Sequence, residues 1–398
     1  MAAISPSTII NMTVSSIPSF AGKTTQKAAV CHGALDLRLE DRPVREPKEG
    51  EVQVAMGVSG LCGSDLHYYL HGANGNFKIR DPLVLGHESC GIVTAVGPNT
   101  NLSVGDRVAL EVGISCGTCS YCKGGRYNLC PDMRFCSSAK THPHLDGTLC
   151  EVMVHPAHLC HRLPKGVSMT EAALAEPLAV VLHAYKKAAL APGAKVLVIG
   201  AGAVGLLAAA LVKACGASTV VSVDIEEAKL AFAQEMGWAD ATFTLPRGPR
   251  VSGAESLTAA QANWDLLKAS PAIAENGLES GFDAVFECTG VEPCMQLACY
   301  AAKAGGNVLF VGMGTPNLLL PAAACLLREV NLYGVFRYAN CYPEALALLG
   351  AGRLGDVSKM VTHRFPLARA GEAFETVKAG RDADGKAVIK VVVGTELD

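Results

Sequence analysis

The sequence predicts an α/β protein with two domains, a β-rich part followed by a doubly wound parallel sheet. Half of its 398 residues are apolar, enough to form more than one core. Strand-like segments separated by Gly, Pro and Asp fill the chain from about Gln26: KAAV, EVQVAMGV, CGIVTAVG and DRVALEV. From Pro177, alanine- and leucine-rich runs alternate with the short strands KVLVIG, TVVSVD, DAVFECTG, GNVLFVG and VNLYGVF, as in a parallel sheet.

The remaining segments are assigned by composition and position. We expect residues 1–26 to be a flexible, Ser/Thr-rich tail and not a secretory signal, because no basic cluster precedes an apolar run. Residues 246–281 are polar and contain Gly and Pro, so we expect a surface excursion around a short helix. Beyond about Arg337, the helix YPEALALLGAG and the strand AVIKVVV are expected to return to the first domain.

Charge and cysteine content exclude several classes of function. The 34 basic and 37 acidic residues form no long block of either sign, which argues against binding to nucleic acid or an anionic membrane. The longest uncharged apolar run, between Lys195 and Lys213, is shorter than the roughly 18 residues of a membrane span. Sixteen cysteines without a secretory signal favour a cytoplasmic protein whose thiols stay free or bind metal.

A glycine motif follows the strand KVLVIG. Gly200, Gly202 and Gly205 have G-x-G-x-x-G spacing, which allows a tight turn and close approach of a pyrophosphate to a helix N-terminus. The alternative is an ordinary glycine-rich turn. Asp224 ends the next strand, where a carboxylate binds the adenosine ribose, and residues 225–227 supply no arginine for a 2′-phosphate. The motif therefore predicts a dinucleotide site that favours NAD over NADP.

The stretch CGTCSYCKGGRYNLC has the spacing C-x2-C-x2-C-x7-C. Four thiolates in one short lobe can surround a zinc ion completely, which leaves no position for substrate and indicates a structural role. Disulfides, a C-x-x-C redox pair and chance clustering are the alternatives. The four candidate ligands are Cys116, Cys119, Cys122 and Cys130.

A second group of potential ligands is dispersed along the chain. His87 and Glu88 are adjacent in an apolar strand context, Cys62 lies upstream, and Glu176 lies in an apolar run downstream. Taken alone, the adjacent pair could be a core histidine beside a surface glutamate. Convergence of a thiolate, an imidazole and one or two carboxylates would instead form an open zinc site with a position free for water or a substrate hydroxyl.

Several motifs together resemble the zinc-dependent medium-chain dehydrogenase/reductase superfamily, and within it the polyol branch of sorbitol, xylitol and L-arabinitol dehydrogenases. They are CGSDLHYY, GHE, the four-cysteine lobe, EPLAV, the glycine motif and GVFRYAN, and the similarity runs from about residue 27 to 395. The resemblance implies a GroES-like catalytic domain at 27–177, a Rossmann NAD-binding domain at 178–336 and a return to the catalytic domain at 337–398. It also implies a polyol or ketose substrate and a homotetramer.

The resemblance also implies roles for individual residues. The metal ligands would be Cys62, His87 and Glu88 at a catalytic zinc, with Glu176 holding the water of the site or replacing it, and the four lobe cysteines at a structural zinc. Proton relay would use Ser64 and His67, together with Glu176. Substrate contacts would come from Tyr68, Glu176, Arg337 and Tyr338. The cofactor would meet Gly200, Gly202, Val204, Gly205, Asp224, Lys229, Gly312, Met313 and Val335.

One segment departs from the polyol branch. The link RFCSSAKTHPHLDG is about four residues longer than the pattern in that branch and carries His142, Pro143 and His144. In the family this link borders the substrate pocket. The predicted function is oxidation of a secondary hydroxyl of a polyol to a ketose, as in L-iditol 2-dehydrogenases, with zinc and NAD. The alternatives are a zinc-dependent reductase or dehydrogenase of secondary metabolism and a non-catalytic nucleotide-binding protein.

Overall fold

The computed structural model describes residues 19–314 and 316–394. The N-terminal part contains β1 (Thr25–Gly33), β2 (Asp36–Pro43), β3 (Glu51–Gly60), α1 (Gly63–His71), β4 (Ala73–Asn74), β5 (Phe77–Lys78), β6 (Leu83–Val84), β7 (Glu88–Val96), β8 (Arg107–Leu110), β9 (Gly113–Ile114), α2 (Ser120–Lys123), β10 (Arg134–Phe135), β11 (Val152–Pro156), β12 (Cys160–Arg162), α3 (Met169–Ala173) and α4 (Ala175–Ala188).

The central and C-terminal parts follow in chain order. They contain β13 (Lys195–Ile199), α5 (Ala203–Ala214), β14 (Thr219–Asp224), α6 (Glu227–Glu235), β15 (Ala241–Thr244), α7 (Gly253–Lys268), α8 (Pro271–Ala274), β16 (Phe282–Glu287), α9 (Glu292–Ala301), β17 (Ala302–Phe310), α10 (Ala322–Leu326), β18 (Asn331–Gly334), α11 (Tyr342–Gly350), β19 (Val361–Pro366), α12 (Ala370–Ala379) and β20 (Lys390–Gly394).

The β-rich part is built around a seven-stranded sheet with the order β12-β8-β7-β3-β20-β19, in which β11 also pairs with β3. Nine of the ten residues of β3 are buried, because this strand lies inside the sheet. The C-terminal strand β20 pairs antiparallel with β3, so that Val392 lies opposite Gly60. The end of the chain thus completes the sheet formed by its beginning.

The central part is a six-stranded sheet with the order β15-β14-β13-β16-β17-β18. All its pairings are parallel, and the predicted α/β class with a doubly wound sheet is confirmed. The strand order reverses between β13 and β16, which places a crevice at the carboxyl ends of these strands. At Gly205 a Cβ atom would lie 1.7 Å from the Gly200 carbonyl oxygen, so only glycine lets α5 approach β13 this closely.

The segment between β15 and β16 differs from expectation. The segment 246–281 contains α7, a helix of 16 residues rather than a short one, and its Trp264 and Leu267 belong to the core beneath the parallel sheet. The sequence does not show a clear apolar face for α7, because two of its four buried residues are the small residues Ser256 and Ala260. The expectation of a surface excursion around a short helix was therefore wrong.

The predicted tail falls largely on residues 1–18, which lie outside the described residues. From residue 19 onward the chain has contacts: Phe20 is buried and packs against Ala55 and Val152, and β1 begins at Thr25. Within 19–314 and 316–394, no helix combines the length and the apolar character that crossing a membrane requires.

A buried histidine makes the stability of this sheet sensitive to acid. His155 in β11 is 1% exposed, and its Nε2 lies 3.0 Å from the Glu111 carbonyl oxygen. Burial lowers the pKa of His155 to about 4. In the unfolded chain this group has a pKa of about 6.5, so its contribution to stability is complete above that pH and is lost as the pH falls toward 4.

Urea unfolding at pH 7 and pH 5 tests this contribution. We expect the free energy of unfolding to fall by about 2 kcal/mol through His155 between these pH values. In His155→Gln the acid sensitivity should decrease by that amount, whereas the exposed neighbour His158, changed to glutamine, should leave it unaltered. Equal acid sensitivity in wild type and His155→Gln would contradict the assignment.

Candidate active site and metal centres

Three ligand-type side chains from separate segments meet at one end of the seven-stranded sheet. Cys62 precedes the first residue of α1, while His87 and Glu88 stand at the start of β7. One ligand atom from each lies within 4.8 Å of the others. Sulfur, imidazole nitrogen and carboxylate oxygen are donors that zinc accepts, and three protein ligands leave a fourth position open. The donor set fits a catalytic zinc.

Asp65 organises this group and was not identified from the sequence. Its carboxylate is 0% exposed and accepts hydrogen bonds from Ser137 Oγ at 2.6 Å, from Gly86 N at 3.1 Å and from Cys62 N at 3.1 Å. It also lies 3.2 Å from His87 Nδ1. A carboxylate on one imidazole nitrogen fixes the ring orientation and leaves Nε2 for a metal.

The charges of Asp65 and His87 support each other. Burial alone would lower the pKa of His87, but the negative charge of Asp65 raises it well above its usual value. Burial likewise would raise the pKa of Asp65, and the charge and hydrogen bond of His87 lower it. The pair keeps a buried carboxylate ionised beside the potential metal position.

Lys390 is a second neighbour that sequence reasoning missed. Its ammonium group is buried, forms an ion pair with Glu88 and donates a hydrogen bond to the Leu61 carbonyl oxygen at 3.0 Å. A Cβ atom at Gly60 would lie 2.3 Å from Glu88 Oε2, so glycine is needed beside this carboxylate. The C-terminal strand thereby contributes a charge to a site built mainly from the N-terminal part.

Glu176 lies in the first turn of α4 and is 5% exposed. Burial raises its pKa to about 7, with the charge of Glu88 raising it further against the opposing effect of His87. The hydroxyl of Tyr338 also lies close enough to influence this carboxyl group. A group that titrates near neutral pH in this position can either hold or release a proton.

The predicted relay residues Ser64 and His67 both lie on α1. Ser64 Oγ is 3.5 Å from His87 Nε2, which places its hydroxyl at the potential metal position. His67 is half-buried, and burial lowers its pKa, followed by the effect of His71. The structure thus brings Ser64 to the site and leaves His67 farther along the helix, between the site and His71.

Besides Glu176, three further predicted substrate contacts differ in their surroundings. Arg337 has a positive φ of 54° and places its guanidinium group 3.7 Å from the ring centre of Phe135. Its Nη1 is buried and has no hydrogen-bond partner within the described residues. Burial lowers the pKa of this guanidinium to about 10. A donor held in this way is suited to a polar ligand.

The phenols of Tyr338 and Tyr68 are both buried. The ring of Tyr338 packs edge-on against Tyr342 with centroids 5.3 Å apart. The Tyr68 hydroxyl accepts a hydrogen bond from Ala139 N at 2.9 Å, and Ala139 belongs to the longer link. The Tyr68 hydroxyl keeps its own proton for donation, and a contact with substrate stays a prediction.

The longer link joins the site to the protein surface. Within it, Ser137 reaches Asp65 and Ala139 reaches Tyr68, as described above. At its outer end, His142 Nε2 lies 2.6 Å from Asp81, and His144 Nε2 accepts a hydrogen bond from Arg80 N at 2.9 Å. The inserted histidines therefore attach the link to the segment that precedes β6 instead of entering the metal group.

The second metal group is the four-cysteine lobe around α2. The Sγ–Sγ distances are 3.5 Å between Cys119 and Cys122, 3.9 Å between Cys116 and Cys122, and 3.5 Å between Cys130 and Cys116. A zinc ion with four sulfurs at about 2.3 Å requires edges of about 3.8 Å. Among the described residues, no disulfide joins any of the sixteen cysteines, so the disulfide alternative does not apply to this lobe.

Hydrogen bonds attach this lobe to the segment 336–340, which carries Arg337 and Tyr338. Asn128 Nδ2 donates to the Phe336 carbonyl oxygen at 2.9 Å, and Asn340 Nδ2 donates to that of Gly125 at 2.8 Å. The backbone N–H of Asn340 donates to the Tyr127 hydroxyl at 2.7 Å. The lobe thus fixes the segment on which two predicted substrate contacts lie.

The predicted cofactor residues lie at the carboxyl edge of the parallel sheet. The glycine motif joins β13 to α5, with half-buried Val204 in the first turn of the helix. A Cβ atom at Gly202 would meet nothing within 4 Å, so there is open space in front of this helix N-terminus. The Asp224 carboxylate, at the end of β14, accepts a hydrogen bond from Ala201 N at 2.5 Å.

The other cofactor candidates surround the same edge. Lys229 lies on α6, Gly312 and exposed Met313 follow β17, and Val335 follows β18. The backbone N–H of Gly312 donates to the Glu287 carbonyl oxygen at 2.9 Å, which connects neighbouring strand ends. Open space at a helix N-terminus and a carboxylate one strand away fit a dinucleotide.

Comparison with known proteins identifies the family. The alcohol dehydrogenase GroES-like domain matches residues 48–165, and the zinc-binding dehydrogenase family matches residues 203–351. Sorbitol dehydrogenase of Gallus gallus is 42% identical over 354 residues, covering 89% of this chain and 93% of its own length. The chain belongs to the zinc-dependent medium-chain dehydrogenase/reductase family. The predicted family, its polyol branch and the GroES-like plus Rossmann fold are confirmed.

Other medium-chain dehydrogenases extend the comparison. A probable D-xylulose reductase A of Aspergillus terreus is 40% identical and covers 88% of this chain and 95% of its own. The crystal structure of L-idonate 5-dehydrogenase from Escherichia coli superposes with a TM-score of 0.80 at 30% identity, covering 93% of this chain and 98% of the other. Zinc as the metal of this medium-chain dehydrogenase agrees with both donor sets.

Proposed function

We propose that this protein oxidises a secondary hydroxyl of a polyol, such as sorbitol or xylitol, to a ketose with NAD as the acceptor. The observation that carries the proposal is the convergence of Cys62, His87 and Glu88, with Phe135 in contact with both His87 and Arg337. Within the described residues, the buried Nη1 of Arg337 has no hydrogen-bond partner. The sorbitol dehydrogenase and xylulose reductase relatives support a polyol substrate.

The chain's own residues have distinct tasks in this reaction. Zinc, when bound, would act as a Lewis acid that makes the substrate hydroxyl more acidic, and NAD would accept a hydride from the carbon that bears this hydroxyl. Asp65 holds the His87 ring in the orientation that presents Nε2. Ser64, at 3.5 Å from that nitrogen, receives the hydroxyl proton and passes it toward His67 and solvent. Glu176, with a pKa of about 7, holds a water or a proton at the same place.

Recognition of a polyol depends on the groups beyond the reacting hydroxyl. Arg337 Nη1 has no hydrogen-bond partner in the described part of the chain, and a further hydroxyl of a sugar chain can satisfy it. A buried polar group that stays unpaired costs roughly 1–3 kcal/mol, so an alcohol without additional hydroxyls binds less well. Tyr338 and Glu176 border the same space.

Arg337→Ala tests this recognition. We expect kcat/KM for xylitol or sorbitol to fall by about 10- to 100-fold, because the variant loses a donor to a substrate hydroxyl. The value for 2-butanol, which has one hydroxyl, should change by less than about threefold. Arg337→Lys keeps the charge but loses the planar donor, so its kcat/KM for polyols should lie between those of the wild type and Arg337→Ala. Equal losses for both alcohols, or efficient oxidation of bulky apolar alcohols alone, would favour the alternative in secondary metabolism.

We propose NAD as the cofactor and the cytoplasm as the compartment. Asp224 supports NAD, because its carboxylate can accept hydrogen bonds from ribose hydroxyls and repels a 2′-phosphate. Sixteen cysteines with no disulfide among the described residues support a reducing compartment. The cofactor residues at the carboxyl edge of the parallel sheet would then hold the dinucleotide along the crevice.

A homotetramer is proposed for the assembly. The edge strand β18 pairs only with β17 among the described strands, and exposed leucines lie beside it. Leu326 is 76% exposed, Leu327 is 87% exposed and Leu332 is 40% exposed. Another copy of the chain that covers this edge would bury these side chains.

A further inference from the structure

Glu226 lies between two arginines that the chain brings from distant segments. Its carboxylate forms ion pairs with Arg247, 21 residues away, and with Arg381, 155 residues away. The Glu226 side chain is 20% exposed, whereas those of Arg247 and Arg381 are 63% and 50% exposed. Arg381 follows α12, so this cluster joins the parallel-sheet part to the C-terminal return.

The cluster is next to the position predicted for the adenosine ribose. The backbone N–H of Glu226 donates to Asp224 Oδ1 at 2.8 Å, which places the two residues on one turn at the end of β14. Lys229 follows within the first turn of α6. Burial alone would raise the pKa of Glu226, but the hydrogen bond and charge of Arg247, with the charges of Arg381 and Lys229, lower it. Glu226 is therefore held as a carboxylate among three cations.

These cations alter the electrostatic basis for cofactor choice. The residues directly after Asp224 contain no arginine. From the sequence alone, this absence disfavours binding of a 2′-phosphate. In the folded chain, however, Arg247 and Arg381 contact the carboxylate of Glu226, two residues after Asp224, and arginine forms strong charge-assisted hydrogen bonds to phosphate. Discrimination against NADP then requires that the two guanidinium groups be occupied.

We propose that Glu226 is a specificity-determining residue that excludes the 2′-phosphate of NADP by engaging Arg247 and Arg381. This inference rests on the proposed function, because it assumes that the adenosine ribose of a dinucleotide binds at Asp224. Asp224 repels the phosphate, while Glu226 keeps two potential phosphate ligands paired. Removing the charge of Glu226 frees both arginines and leaves Asp224 unchanged.

Calorimetric titration with ADP-ribose and with 2′-phospho-ADP-ribose tests the proposal without any turnover. For Glu226→Gln we expect the ratio of the two dissociation constants to shift by about tenfold or more toward the phosphorylated ligand. The gain should weaken at higher salt, since it arises from charge. The matched control is Glu227→Gln, which removes the same charge from an exposed neighbour and should shift the ratio by less than about twofold.

A double variant separates the arginine mechanism from a general effect of charge. Glu226→Gln with Arg247→Met should lose a measurable part of the gain in affinity for 2′-phospho-ADP-ribose, because only Arg381 then remains to bind the phosphate. If Glu226→Gln and Glu227→Gln shift the ratio equally, or if the double variant keeps the full gain, the proposal is wrong. Failure of the wild type to bind ADP-ribose would instead overturn the proposed NAD site, so the two failures are distinguishable.

Discussion

Changing His87 to alanine is expected to abolish turnover while the protein remains folded. The change leaves Cys62 and Glu88 as donors, and two ligands hold zinc far less well than three. Loss of the Lewis acid should lower kcat by at least about three orders of magnitude. Losing the charge of His87 beside buried Asp65 lowers stability. The fold should nevertheless survive, because Asp65 keeps its hydrogen bonds from Ser137, Gly86 and Cys62.

Metal analysis by inductively coupled plasma mass spectrometry accompanies the kinetics. Two separate donor sets predict about two zinc ions per chain in the native protein and about one in His87→Ala. The control His363→Ala removes a half-buried histidine that faces Asp382, and both its zinc content and its turnover should stay near wild type. A native content of one zinc would disprove the two-site interpretation.

Changing Cys119 to serine should have the opposite pattern, with large loss of stability and retained chemistry. The variant keeps three of the four lobe sulfurs, and structural zinc sites contribute several kcal/mol or more to folding. We expect zinc content to fall by about one ion and the thermal midpoint to drop by many degrees. Turnover in the folded fraction should remain measurable, because Cys62, His87 and Glu88 form a separate group.

Differential scanning calorimetry with metal analysis distinguishes this result from a general effect of losing a thiol. Cys215→Ser changes a half-buried cysteine at the end of α5, outside both metal groups, and should retain two zinc ions. If Cys119→Ser kept wild-type stability and two zinc ions, the lobe would not be a structural zinc site.

Local sequence patterns were sufficient for much of the fold and for the ligand-type residues. The glycine motif predicted a strand, a turn and a helix because close backbone approach at Gly205 requires glycine. The cysteine spacing predicted one lobe because its four ligands lie within fifteen residues. His87 with Glu88, together with Cys62, could be associated only through the family resemblance, since the chain brings these segments together by sheet pairing.

The residues that the sequence did not reveal act through tertiary contacts. Asp65 looks like an ordinary acidic residue in the first turn of a helix, and only the fold brings Ser137 and His87 to it. Lys390 looks like a solvent-exposed residue at a strand end, but β20 pairs beside β3 and places its ammonium group against Glu88. Arg247 and Arg381 similarly reach Glu226 across long chain separations, which no local pattern encodes.

The hydrogen bonds between the cysteine lobe and residues 336–340 connect the stability of the lobe to the position of Arg337. Loss of zinc from the lobe alone would loosen Asn128 and Asn340, and with them the backbone that carries Arg337. If Arg337 binds substrate as proposed, a protein with such a damaged lobe would lose its preference for polyols over simple alcohols while Cys62, His87 and Glu88 stay together. Over evolutionary time, the same connection means that changes in the lobe and changes in substrate range would be selected together.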